Sequence, residues 1–200
     1  MGNIDSIEAL EALYGMPLGG SLTKVQSTLT PMYRAWIEQA RFCVLTTVGP
    51  EGTDASPRGD LDPVVTIDDA STLLLPDWRG NNRLDSLRNI VRDPRVSLLF
   101  MANGCNNVIR INGDARLTAD GALTARFEKN DKHPRSVIVV TVREVYFQCA
   151  KALMRSDLWA AQNSPADLPT AGAFLSEVAE DFDARAYDAG YADYAKAKMW

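Results

Sequence analysis

The segment Thr72-Leu-Leu-Leu-Pro-Asp-Trp-Arg-Gly-Asn-Asn-Arg-Leu-Asp-Ser-Leu-Arg-Asn-Ile-Val91 changes its periodicity halfway along. Thr72 to Leu75 is a short apolar run of strand type, stopped at Pro76-Asp77. From Arg83 to Val91 the apolar residues Leu84, Leu87, Ile90 and Val91 recur at helical spacing. Asn81 or Asn82 offers a cap at the start of this helix, and Asp93-Pro94 ends it. One small helix set between short strands with hairpin-like turns predicts a β-barrel, not a parallel α/β sheet.

The flanking sequence extends this pattern in both directions. Phe42 to Val48 is rich in β formers, and Gly49-Pro-Glu-Gly52 is a turn that returns the chain along Thr53 to Arg58. Val64 to Ile67 reads as another strand. Beyond the helix, Val96 to Met101 and Val108 to Gly113 are strands, and Arg116 to Thr118 continues the second of these past a bulge at Gly113. Ser136 to Gln148 is the longest strand. Helices are expected at Ser6 to Tyr14, with Gly15 as stop signal, and at Thr30 to Gln39, where Thr30 caps and Pro31 suits the first position. The expected class is mainly β with peripheral helices. The chain divides into an N-terminal helical segment (1–40), a barrel core (41–159) and a helical tail (160–200). The tail begins with a linker at Ala160 to Pro165 and is expected to pack on the barrel or on a partner subunit.

Composition narrows the chemistry. The 46% hydrophobic and 24% charged content of these 200 residues is that of an ordinary globular protein, long enough for one sizeable core. No apolar run is long enough to span a bilayer, and Met1 to Leu10 lacks the features of a signal peptide, so a cytoplasmic location is expected. A net charge of −5 argues against a broad nucleic-acid surface. Cys43, Cys105 and Cys149 are odd in number and far apart, which speaks against a disulfide framework. The single histidine, His133, sits in a polar loop. That excludes two-histidine metal sites and makes a histidine-based triad or haem ligation unattractive. Any catalytic power therefore falls to a cofactor, to Arg and Lys, or to backbone groups.

Three polar clusters are candidates for binding. In Ser56-Pro-Arg-Gly-Asp60 a strand breaks, presenting Arg58 beside Gly59, whose missing Cβ permits close approach of a planar ring. In the quoted segment Arg79, Asn81, Asn82, Arg83 and Ser86 converge on a helix N-terminus, where free N–H groups and the helix dipole favour an anion and Arg grips phosphate bidentately. Lys151, Arg155 and Trp159 are spaced by four and share a face if their segment is helical. Each cluster alone also fits a plainer role: an exposed turn arginine, simple capping, or a solvated basic face closed by a packed tryptophan. No G-x-G-x-x-G or Walker A pattern is present.

Taken in order, Phe42-Cys-Val-Leu-Thr-Thr, Ser56-Pro-Arg-Gly-Asp60, Gly80-Asn-Asn-Arg-Leu-Asp-Ser-Leu87, Asp93-Pro-Arg-Val96, Ile109-Arg-Ile-Asn-Gly113 and Cys149-Ala-Lys-Ala152 with Arg155-Ser156 and Leu158-Trp159 resemble one family. It is a bacterial subgroup of the pyridoxamine 5′-phosphate oxidase-like, FMN-binding split-barrel proteins. The likeness runs from about Lys24 to Trp159. It implies a six-stranded split β-barrel, a homodimer, and FMN held between subunits. It further implies that Arg58, Asn82, Arg83 and Ser86 hold the ribityl phosphate and ring edge, that Arg110 lies on a flavin-facing strand, and that Lys151, Arg155 and Trp159 reach the flavin, in one arrangement across the dimer. Gln148 before Cys149-Ala-Lys, the loop Asn103 to Asn107, and Asp62-Pro-Val-Val65 depart from the family pattern. The oxidase's substrate-phosphate residues do not transfer, so oxidation of pyridoxamine 5′-phosphate does not follow from the fold. The expected function is an FMN-dependent oxidoreductase acting on a small molecule. The alternatives are a non-catalytic flavin-binding or redox-sensing protein and, on the same fold, a protein that binds haem or deazaflavin, haem being the less attractive because the one histidine lies in a loop.

Overall fold

The computed structural model describes residues 2–17, 19–80, 82–160 and 168–199. Asn81 and most of the linker expected at Ala160 to Pro165 lie outside them.

Among the described residues the chain runs α1 (Ile7–Tyr14), α2 (Gly19–Thr23), α3 (Pro31–Ile37), β1 (Phe42–Gly49), β2 (Gly52–Gly59), β3 (Thr66–Asp69), β4 (Thr72–Asp77), α4 (Asp85–Arg92), β5 (Arg95–Met101), β6 (Val108–Thr118), α5 (Gly121–Thr124), β7 (Ser136–Gln148), α6 (Lys151–Ser156), α7 (Ala171–Val178) and α8 (Ala184–Lys198). The seven strands form one antiparallel sheet in the order β2-β1-β5-β6-β7-β4-β3. This is one strand more than the six implied by the resemblance. The extra pairing is the short hairpin of β3 on β4.

Alternation explains the core. Along β1, Cys43, Leu45 and Thr47 point inward, and on β5 the inward residues are Val96, Leu98 and Phe100. These residues, apart from Thr47, join Leu73 and Leu75 of β4, Ile111 of β6 and Ile138, Val140 and Val145 of β7 in one apolar cluster. Residues from nearly the whole width of the sheet meet in that cluster, so the sheet curls around it as a split barrel. On the other face of β4 and β7, Leu74, Val137 and Val139 are covered by Leu123 of α5 and by Phe127 just beyond it. Burial raises the Cys43 thiol to about 12, so it is a core residue and not a nucleophile. Cys149, by contrast, is exposed.

Several sequence expectations hold locally. Thr30 caps α3 by accepting from the Tyr33 N–H, and Ser6 does the same for α1 through Ala9. The bulge expected near Gly113 is a shift in β6–β7 register, from Asn112↔Glu144 to Gly113↔Val142. The extra residue is Arg143 on β7, whose guanidinium binds Asp114 at 2.7 Å. A Cβ at position 113 would collide with the Thr141 carbonyl oxygen, which is why glycine stands there.

Other expectations need correction. The helix expected at Arg83 to Val91 begins at Asp85, because Leu84 takes a left-handed conformation (φ 62°) as its N-cap residue. The buried face also differs from the expected one. Ser86, Asn89 and Ile90 are buried, while Leu84 and Val91 are exposed. Asn89 donates to Thr47 Oγ1 at 3.1 Å, satisfying two polar groups beneath the helix. The strand expected from Val64 begins only at Thr66, although Val64 and Val65 are buried. Residues of α1 are all exposed, including Ile7, Leu10 and Leu13, so its apolar side meets no core among the described residues.

Candidate functional site

β2 is one edge of the sheet and β4 lies next to the other edge, so only the curl of the barrel brings them together. Where they meet, Arg58 Nη1 donates to Asp77 Oδ1 at 2.9 Å, and both side chains are largely buried. Beside this pair opens a cleft of about 480 Å³, bounded by Asp54, Ser56 and Arg58 of β2, by Asp77 to Gly80, by Asn82 to Leu87, and by Arg135 and Ser136. Of the expected site residues, the fold brings together Arg58, Arg79, Asn82, Arg83 and Ser86 here. Gly59 lines an adjoining cavity along with Arg58 and Arg79. A Cβ at Gly59 would meet only ordinary contacts, Arg41 O at 3.7 Å and Phe42 Cδ2 at 3.8 Å, so packing within this chain does not demand glycine.

The polar groups of the cleft are largely paired. Ser86 Oγ donates to Asp54 Oδ2 at 2.8 Å, which ties α4 to β2 and commits the hydroxyl proton expected to serve an anion. The Arg83 side chain is exposed, and its Nε donates to Asp85 Oδ2 at 2.7 Å. Beside Arg79 and Arg135, which form no ion pair among the described residues, two groups bear on ligand binding. Arg58 Nε is buried with no hydrogen-bond partner among the described residues. The N-terminus of α4 has no side-chain cap, so its first-turn N–H groups are left to other partners. Four guanidinium groups (Arg58, Arg79, Arg83, Arg135) face three carboxylates (Asp54, Asp77, Asp85) around the cleft. Burial pushes the Asp77 carboxyl above its ordinary value, and the Arg58 charge offsets part of that rise.

The remaining expected residues lie elsewhere in the same chain. Arg110 on β6 stacks over the Tyr146 ring at 5.3 Å and donates to Gln148 Oε1 at 3.3 Å, outside the cleft. Lys151 and Arg155 share an exposed face of α6. Trp159 does not share it, contrary to the helical reading of its spacing. Asp157 turns left-handed (φ 48°) and ends the helix, and Trp159 Nε1 donates instead to the Cys105 carbonyl at 3.0 Å. Trp159 and Leu158, with Phe42 and Met101, line a separate depression of about 640 Å³.

Sequence reading missed Asp54, Asp77, Trp78 and Arg135 as cleft residues. For Asp54 a signal existed, since strand alternation puts residues 54, 56 and 58 on one face. Asp77 and Trp78 lie in the same strand-to-helix segment, where Asp77 reads only as the stop of the strand and the arginines and asparagines mark the binding chemistry. Nothing in the sequence marks Arg135, which enters only because β7 pairs with β4 through Asp77↔Ser136.

No curated protein matches the chain. Among solved structures, HupZ of Group A Streptococcus aligns at 15% identity over 60% of this chain and 93% of that one, with a TM-score of 0.49. The general stress protein 26 of Bacillus anthracis aligns at 18% over 57% and 88% (TM-score 0.43). A FAD-binding protein of Mesorhizobium loti aligns at 14% over 62% and 94% (TM-score 0.41). A family model described as pyridoxamine 5′-phosphate oxidase matches residues 29–149, which include β1 to β7 and the cleft. On that match, the chain belongs to the pyridoxamine 5′-phosphate oxidase family.

Proposed function

We propose that the cleft between β2, the end of β4 and the start of α4 holds the phosphate end of FMN, and that the chain is an FMN-dependent oxidoreductase acting on a small molecule. Family membership supports the flavin. The observation that carries the reading is the buried, unpartnered Arg58 Nε in a cleft that also holds Arg83, Arg135 and an uncapped helix N-terminus. These are donors suited to a dianion. Guanidinium forks match phosphate oxygens, and free N–H groups at a helix start point the same way. Arg58, Asn82 and Arg83 bind and orient the group in this reading, together with Asn81, while Gly59 and Arg79 border the adjoining cavity. Ser86 acts through Asp54, holding α4 against β2.

The site is completed by a homodimer. Arg110, Lys151, Arg155 and Trp159 lie away from the cleft of their own chain, and a second copy of the chain supplies them to it. The half-exposed Phe42 and Leu158 beside Trp159 give such an interface apolar surface. Bound there, the isoalloxazine ring supplies electron transfer between a reduced donor and a small organic acceptor, while the protein sets position and electrostatics.

One observation favours a second reading, a flavin-binding protein without turnover. Each carboxylate of the cleft is engaged, Asp54 by Ser86, Asp77 by Arg58 and Asp85 by Arg83, which leaves none placed as a general base. Anaerobic spectra of the FMN-loaded protein separate the two. Bleaching of the flavin bands by NAD(P)H supports the enzyme. A bound flavin that no donor reduces supports the binding protein, and failure to take up FMN removes both.

A further inference from the structure

The cavity that adjoins the cleft has about 680 Å³, within the ordinary range of small-molecule sites. It shares Arg58, Trp78, Arg79 and Gly80 with the cleft, so occupants of the two would be neighbours. Its floor is apolar, made by Val64, Leu75 and Pro76, and its far wall comes from Tyr191 of the C-terminal helix α8 and from Met199 just past the end of that helix.

That wall is built rather than loose. Asp188 of α8 accepts from Thr170 Oγ1 at 2.5 Å and from the Gly172 N–H at 2.9 Å, so α8 caps the start of α7. Gly172 is required there, since a Cβ would stand 2.6 Å from the Ala184 carbonyl oxygen. Tyr191 lies three residues beyond Asp188 and packs on Tyr187, with ring centroids 5.7 Å apart. Tyr187 in turn packs on Phe182 at 5.4 Å. The hairpin thus fixes where the Tyr191 ring stands.

The charges of the cavity resolve to one available cation. Asp60 is bound by Lys129 at 3.0 Å, and Arg58 is engaged by Asp77. Arg79 is exposed, with no ion pair among the described residues. Two aromatic rings from different elements, a polarisable thioether, an apolar floor and an unspent guanidinium describe a recognisable ligand chemistry.

We propose that this cavity binds a planar aromatic carboxylate, its ring against Trp78 and Tyr191 and its charge at Arg79. Its role as substrate pocket rests on the flavin reading above; the binding itself does not.

Calorimetric titration of the full chain with naphthalene-2-carboxylate, with and without saturating FMN, tests this. Saturable binding is expected in both conditions. Tyr191→Ala should weaken it about 5- to 10-fold, from the loss of one aromatic contact. Tyr191→Phe should restore it, naphthalene-2-methanol should bind more weakly than the acid, and FMN affinity should be the same in Tyr191→Ala as in wild type. Should Tyr191→Ala lose helical circular dichroism, Met199→Ala must weaken the probe instead. Equal probe affinity in wild type and the folded variant, no saturable binding, or mutual exclusion of probe and FMN would each overturn the proposal. Probe binding without FMN binding defeats only the flavin reading, and FMN binding without probe binding defeats only this one.

Discussion

Arg58 and Asp77, 19 residues apart, join β2 to β4 across the split of the barrel by a 2.9 Å ion pair, although neither strand is hydrogen-bonded to the other. The pair is a floor for the cleft and a clasp on the fold. Burying two charges is costly, and the cost is recovered only when each keeps its partner.

The first expectation follows from Asp77. Burial raises its carboxyl, with Arg58 pulling back only part of the rise. A raised carboxyl favours the protonated form in the folded state. Its contribution to stability is therefore complete below the ordinary aspartate value and is lost as pH rises through the folded value. Carbon-detected NMR should show Asp77 titrating above a free aspartate, and unfolding free energies should fall through that same window. In Asp77→Asn this component of the pH slope should vanish. An Asp77 that titrates at or below the ordinary value of about 3.9 would contradict the assignment of burial as the dominant cause.

Gly113→Ala should be among the most damaging small substitutions in the core sheet. The added Cβ meets the Thr141 backbone oxygen, which cannot swing aside as a side chain can. Overpacking of this kind costs about 1–3 kcal/mol, and a backbone neighbour puts it at the upper end. Urea unfolding should give a lower midpoint with an unchanged slope. A midpoint equal to wild type would mean that the bulge at Gly113 and Arg143 relaxes freely.

The third expectation is quaternary. Light scattering of the flavin-loaded protein should give the mass of two chains, with two equivalent sites. Lys151→Ala, on the exposed face of α6, should weaken FMN binding without loosening the fold. A stable monomer that retains flavin would contradict a site completed by a second copy.

Much of the fold was legible because it follows from alternation and turns. The hairpin of β1 and β2, the long β7 and the bulge at Gly113 are all local patterns. The start of α4 was not legible, since the apolar spacing of Leu84, Leu87 and Val91 favours a frame that the left-handed Leu84 overrides. Buried Ser86 and Asn89 take the inner face because Asp54 and Thr47 across the sheet satisfy them. That partnership is long-range and leaves no mark in the segment itself. The cleft was half legible for the same reason. Arg58, Arg79 and Arg83 announce themselves by type, whereas Asp54, Asp77 and Arg135 join them only through the curl of the sheet.

Arg83 carries the sharpest consequence for the phosphate. Its exchange of Asp85 for a phosphate oxygen gains a charge-assisted hydrogen bond to a dianion. It gives up an exposed ion pair that water already screens to little net value. The loss on removal should then be on the order of tenfold in affinity. Titration of the apo-protein with FMN and with riboflavin, in wild type, Arg83→Ala and Asp85→Asn, measures it. FMN should bind about tenfold more weakly to Arg83→Ala and more tightly to Asp85→Asn, while riboflavin, which has no phosphate, should change little in either. Equal losses for both flavins, or no loss for either, would show that the phosphate does not sit at the start of α4.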